Sequence, residues 1–378
     1  MRLPGLACVL VLSVSVLGAA PASAAPVPVT TCGQVVHGFG QLTGDLDCTG
    51  QSDPGVRLGH GSKLDLAGFT LAGGDGDGVA CDGRCAITSK EDGGTIAGFA
   101  GHGVVSRPAV DSNVGVRVNR TIVRDNGGNG VWIDELRGSM TITKSAILGN
   151  GGMGVFSPDR LRVGRSTISG NQLEGANGDT VLTLYSLFEL NGTGITAATF
   201  ARVAKSDVID NVGDGIQIGA SLRTNRLNVL RNGGNGILFT GISADAQVFF
   251  AEVSDNGLDG VRVAGPQTQR LRVKYAFVRG NGGSGVVSRD VRVNVSRLDD
   301  NGLYGVVAEP GDGDCRVGVD RFSVLGNGTD PSCGVSTTCA DVASCDPPLH
   351  VTPKTDCATS YDTSSGFPGS SWGVCDDE

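Results

Sequence analysis

Hydrophobic residues in this chain fall in pairs spaced two apart, and the pairs recur at fixed distances from an asparagine. Val131 and Ile133, Ile216 and Ile218, and Val261 and Val263 stand five and seven residues after Asn126, Asn211 and Asn256. Leu161 and Val163, Leu271 and Val273, and Val291 and Val293 stand ten and eight residues before Asn171, Asn281 and Asn301. A third pair, small then aliphatic, lies five and three residues before: Ser145 and Ile147, Ser166 and Ile168, Ser206 and Val208, Ser296 and Leu298. A spacing of two puts both members on one face of a strand. Each copy therefore predicts three short strands whose apolar faces point the same way.

The asparagines are Asn126, Asn150, Asn171, Asn191, Asn211, Asn232, Asn256, Asn281, Asn301 and Asn327, separated by 20 to 26 residues. Most open a glycine turn such as NGGNGV at 126, NVGDGI at 211 or NGLYGV at 301; NQLEGA at 171 and NGTGI at 191 are degenerate copies. Three strands and three turns make one triangular coil, which cannot bury its own apolar face. Stacking coils at about 4.8 Å closes a core between three parallel sheets. The asparagines then form an internal ladder in which each amide bonds the same amide one coil away. In this reading the Asn takes the left-handed turn conformation, and the glycines after it allow positive φ.

This pattern resembles the right-handed parallel β-helix repeat family of the pectate-lyase-like superfold, over roughly 57 to 327. The segment CGQVV…LTGDLDCTG followed by GSKLDLAGFTL is similar to the entry region of exported bacterial β-helix proteins. The resemblance implies an all-β, right-handed parallel β-helix of about a dozen coils. That family holds polysaccharide lyases, hydrolases, esterases and epimerases beside surface proteins without chemistry, so the fold does not choose an activity.

The ends read differently from the middle. Arg2, an apolar run from Leu6 to Leu17 and Ala22-Ser23-Ala24 make residues 1–24 a cleavable signal peptide, with a secreted, extracellular or periplasmic mature chain starting near Ala25. The run is too short for an anchor, and no other stretch predicts a membrane span. Cys8 leaves with the signal, and ten cysteines remain, clustered near the two ends. An exported chain with an even count predicts disulfides. The pairs expected are Cys32–Cys48 and Cys81–Cys85 at the start, then the near-neighbour set Cys315–Cys333, Cys339–Cys345 and Cys357–Cys375. This gives an N-terminal cap over 25–56, the helix over 57–327 and a Cys-rich C-terminal cap over 328–378. No oligomeric state is signalled.

The net charge of −9 argues against a nucleic-acid partner. Four histidines, His37, His60, His102 and His350, are scattered without metal-ligand spacing, and Cys81 and Cys85 lack a second pair for zinc, so no metal is expected. Gly101-His102-Gly103 is similar to a tripeptide of pectin-hydrolysing β-helix members, but their upstream Asn-Thr-Asp and Asp pair are missing; the plainer reading makes both glycines turn residues ahead of Val104. The Asp-Pro-His centre of alginate epimerases is absent, because Asp53, Asp330 and Asp346 precede Pro without a following His. Asp125, Asp210, Asp214, Asp255, Asp259, Asp299 and Asp300 read as a solvated acidic edge. Calcium, and so a cofactor of any kind, enters only if the chain is a lyase.

One feature points outward. Arg117, Arg162, Arg202, Arg223, Arg272 and Arg292 each stand nine residues before an Asn, between apolar neighbours. Arg120, Lys144, Arg165, Lys205 and Arg226 stand six before. Stacking makes these a basic stripe, suited to carboxylate or sulfate groups along a polymer; as a plain surface they would be solvated strand positions. Trp132 and Phe156, on adjacent coils, add candidate aromatic contacts to sugar rings, or lie under a folded-back segment. Without a convergent acid, base or nucleophile set, the sequence favours a non-catalytic scaffold that binds an acidic polysaccharide or cell-surface glycan. The alternative is a polysaccharide lyase or glycoside hydrolase.

Overall fold

A computed structural model describes residues 25–90, 93–107, 114–135, 137–241, 245–264, 270–288, 290–308 and 316–323, with Asn327 and residues 335–337. The signal peptide expected over 1–24 and the cysteines at 315, 333, 339, 345, 357 and 375, with the three bridges expected among them, lie outside those residues.

The chain winds into an all-β parallel solenoid of about 12 turns, with no helix among the described residues. Each turn supplies one strand to each of three sheets. After an Asn comes the first sheet, where Val104–Ser106 pairs with Val131–Ile133. The second holds Val114–Asn119 beside Gly138–Thr143. The third, just before the next Asn, holds Thr121–Arg124 beside Ala146–Leu148. Among the described residues the strand pairs are parallel and, apart from shifts at 157–160 and 178–180, in register with their copies, so valine sits on valine: Val104, Val131 and Val155 form one buried column. Pairing starts before residue 57. Val27–Val29 lies against residues 40–42, and Gln34–Val36 against Val56–Leu58. The segment expected as a cap thus already forms the first coil, tied by Cys32–Cys48; Cys81–Cys85 clips a corner two coils on.

The Asn column is buried and continuous. Asn126 Nδ2 donates to Asn150 Oδ1 at 3.0 Å, Asn150 to Asn171 at 2.9 Å, and so on through Asn301 to Asn327 at 3.0 Å. Each Oδ1 also accepts the backbone N–H one coil back, as Asn232 does from Asn211 at 3.1 Å. A second column stands at the corner between the second and third sheets. There Ser166 Oγ accepts the N–H of Ser145 at 3.2 Å, and Ser206 Oγ that of Ser186 at 3.2 Å. These side chains satisfy backbone donors where the chain leaves one sheet for the next.

Two expectations about these corners are corrected. The left-handed residue is not the Asn but the one before it: Asp125, Asp210, Asp255 and Asp300 have φ near +55°. A two-residue corner needs its first residue to reverse the chain and its second to point a polar side chain inward. Nor do the glycines of NGGNGV have positive φ. They are small because coils meet there. A Cβ on Gly130 would lie 2.4 Å from Ile147 Cγ2 and 2.6 Å from Gly154 O, and one on Gly127 would lie 2.5 Å from Ala100 O.

Candidate binding face

The second sheet turns the residues nine before each Asn outward, between buried neighbours. Arg117, Arg162, Arg202, Arg223 and Arg292 are exposed and Arg272 half-buried. Strand register stacks them in one column, interrupted by Thr141, Leu182 and Gln247: Arg162 lies between Thr141 and Leu182, and Arg202 pairs directly with Arg223. Among the described residues, Arg117, Arg162, Arg202 and Arg223 make no ion pair. Several cations on other faces are neutralised. Arg231 grips Asp210 with two bonds of 2.8 Å, and Arg279 reaches Glu252 at 2.8 Å. Around Lys63, Arg84, Arg117, Arg137, Arg160 and Arg162 the face hollows into an open groove of about 900 Å³, with Asp159 as the single lining carboxylate.

The cations six before each Asn flank this face on its corner, and their backbone is unusual. Arg120, Lys144, Arg165, Tyr185, Lys205 and Arg226 all have φ between +49° and +53°. Left-handed geometry costs an L-residue roughly 1–2 kcal/mol, and glycine or asparagine escapes most of it. The Asn corner largely follows that rule, with Gly149, Gly170, Gly280 and four aspartates in the equivalent place, beside Leu190 and Arg231. The Ser corner does not. Five cations in a row of six coils hold this position against local preference, and Phe250, Tyr275 and Val295 hold it farther along. Tyr185 registers their field. Lys205 Nζ donates to its Oη at 2.6 Å, and this bond, with the nearby charges of Lys205, Arg165 and Arg226, holds the phenol pKa below its usual range.

The other candidates settle into structure. Trp132 stacks at 4.3 Å on Phe156 and at 5.8 Å, nearly parallel, on His102. Trp132 therefore has a ring neighbour on the adjacent coil on each side, His102 and Phe156. His102 belongs to a third polar column that the sequence reading missed. Its backbone N–H donates to Asp77 Oδ1 at 2.8 Å, and its Nδ1 accepts the N–H of Asn129 at 2.9 Å. Burial lowers its pKa, against the opposing charge of Asp77. Asp77 also holds Arg107 at 2.6 Å. Farther along, Asp214 Oδ1 accepts the N–H of Asn235 and Asp259 Oδ1 that of Ser284, both at 2.7 Å. These aspartates are not a solvated edge; they terminate backbone donors in the stack. The signal was available, as a polar residue three after the Asn between glycines. Among the described residues, no group of three or more His, Cys, Asp or Glu could hold a metal.

The sequence over 55–269 matches the family model described as the right-handed beta helix region. The chain belongs to the right-handed β-helix family. No curated protein matches it in sequence. Similar solved structures include the A-module of the Azotobacter vinelandii mannuronan C-5 epimerase AlgE4, at 16% identity, covering 81% of this chain and 86% of that one, TM-score 0.38. The periplasmic alginate epimerase AlgG matches at 13% identity over 84% and 77% of the two chains, TM-score 0.40. The catalytic domain of a GH87 α-1,3-glucanase in complex with nigerose matches at 10% identity over 84% and 63%, TM-score 0.28. At such identities these likenesses concern the β-helix fold alone.

Proposed function

We propose that this β-helix protein is a non-catalytic extracellular scaffold that binds an acidic polysaccharide lengthwise along its second sheet. The reading rests on one observation: a chain of net charge −9 carries a face on which Arg117, Arg162, Arg202 and Arg223 make no ion pair among the described residues, while cations such as Arg231 and Arg279 on other faces are paired. Stacked one or two coils apart, about 4.8 to 9.6 Å, such charges repel one another unless an anion compensates them. A polyanion does so at many points at once, and multipoint attachment is avid even when each contact is weak. Export through the leader at residues 1–24 belongs to the same proposal.

The test compares wild type with an Arg162→Ser, Arg202→Ser, Arg223→Ser triple variant on a polyuronate at low and moderate salt. Wild-type affinity should fall steeply with salt, because exposed charges are screened over about 8–10 Å. The variant should bind at least tenfold more weakly at low salt. Equal binding by both, or salt-independent binding, overturns the proposal. New reducing ends or unsaturated products formed by the wild type alone would establish the lyase or hydrolase alternative on the same face.

A further inference from the structure

Of the rungs that interrupt the arginine column, the one at Leu182 is aliphatic, and it is built. Where the neighbouring coils carry Arg162 and Arg165 on one side and Arg202 and Lys205 on the other, the coil between carries Leu182, Leu184 and Tyr185. Register places Leu182 directly between Arg162 and Arg202. Leu184 stands between Gly164 and Ala204, which have almost no side chain, so it projects from the sheet and is 47% exposed. Tyr185 is 48% exposed, and Lys205 lies over its ring at 4.7 Å. Phe200, beside Thr180 on the next coil, carries Arg223 at 5.9 Å over its own ring. An exposed leucine alone needs no account. Two leucines and a tyrosine on one rung, framed by four cations and flattened by Gly164 and Ala204, do.

Resting on the reading of this face as a polyanion site, we infer that the Leu182–Leu184–Tyr185 rung is an apolar subsite for an uncharged sugar ring. The ligand is then an alternating polymer, with an anionic ring on each side of a neutral one. The carbon–hydrogen face of a pyranose suits a shelf of aliphatic and aromatic surface. The cationic rungs on either side are two coils apart, about 9.6 Å, the order of one disaccharide along an extended glycan. A polymer charged on every ring would have to set a carboxylate on the shelf and strip part of its hydration there without a partner. On one side of the shelf the same spacing recurs, with Thr141 between Arg117 and Arg162; on the other, Arg202 and Arg223 stand on adjacent coils before Gln247.

The experiment uses the full mature chain and two probes of equal length at low salt: a hexasaccharide alternating glucuronate with N-acetylglucosamine, and hexagalacturonate. Binding by titration calorimetry is compared for wild type, Leu184→Ser/Tyr185→Asn and Arg162→Ser/Arg202→Ser, each checked for an unchanged melting profile. Asparagine at 185 keeps the left-handed backbone accessible. Wild type should bind the alternating probe about tenfold more tightly, and the shelf variant should abolish that preference while leaving hexagalacturonate unaffected. The arginine variant should weaken both. If both probes bind wild type equally and the shelf variant changes neither, the subsite is overturned while the polyanion reading stands. If neither probe binds wild type, both fall together.

Discussion

Replacing Asn232 by alanine probes what holds the coils to one another. The Asn232 side chain makes four hydrogen bonds in the stack. Its Oδ1 accepts the backbone N–H of Asn211 at 3.1 Å and the Nδ2 of Asn211 at 2.8 Å. Its Nδ2 donates to Val208 O at 3.1 Å and to Asn256 Oδ1 at 2.9 Å. The residue is 1% exposed, so alanine strands two donors of Asn211 away from bulk water. Each stranded buried group costs about 1–3 kcal/mol, and a water entering the vacated amide volume recovers part of the sum. A net loss of about 3 kcal/mol is expected. Asn225→Ala, at an exposed position two coil-corners from the ladder, serves as the control and should stay within about 0.5 kcal/mol of wild type. A solenoid can open a few coils at a time, so urea unfolding is paired with native-state hydrogen exchange. The amides of Asn211 and Asn232 should lose protection first. If Asn232→Ala unfolds within about 0.5 kcal/mol of wild type with those amides equally protected, the ladder does not stabilise the stack.

Four further outcomes follow from the geometry. Gly130→Ala should destabilise by about 1–3 kcal/mol or more through overpacking, since its new Cβ meets Ile147 and the Gly154 carbonyl. Gly115→Ala, with no neighbour nearer than 3.7 Å, should be neutral or stabilising by about 0.4–1 kcal/mol in the same denaturation assay. Arg165→Asn should raise stability by up to about 1 kcal/mol by easing its left-handed backbone while weakening polyuronate binding; lower stability, or undiminished binding, would contradict the reason given for that column. His102 has a pKa lowered by burial from 6.5. A depressed histidine contributes stability that is complete above its unfolded value and is lost as pH falls through the folded one. Protonating Nδ1 would also break its bond from Asn129. Wild type should therefore lose stability on acidification from pH 7.5 to about 5.5, and His102→Gln should lose less over that range; equal slopes would refute the assignment.

The solenoid was legible in the sequence because its order is periodic. One coil cannot bury its own face, so Val, Ile, Asn and Gly recur at positions where each meets its own copy, and that recurrence is visible without coordinates. The outward direction of Arg162 and Arg202 was legible for the same reason, being forced by apolar neighbours on both sides. What only the tertiary structure decided is how columns at different offsets sit beside one another. The left-handed corner falls one residue before Asn126 and Asn211 because the reversal and the inward amide need separate residues. The glycine of NGGNGV is small because the next coil's carbonyl lies within 3 Å of where its Cβ would be. Trp132, read along the chain, is an exposed aromatic; across coils it has His102 and Phe156 as ring neighbours on either side. The apolar rung at Leu182, Leu184 and Tyr185 is a gap in a repeat when read linearly. Stacking turns it into a shelf, because lateral pairing brings Gly164, Ala204 and four cations around it from coils about 20 residues away in either direction.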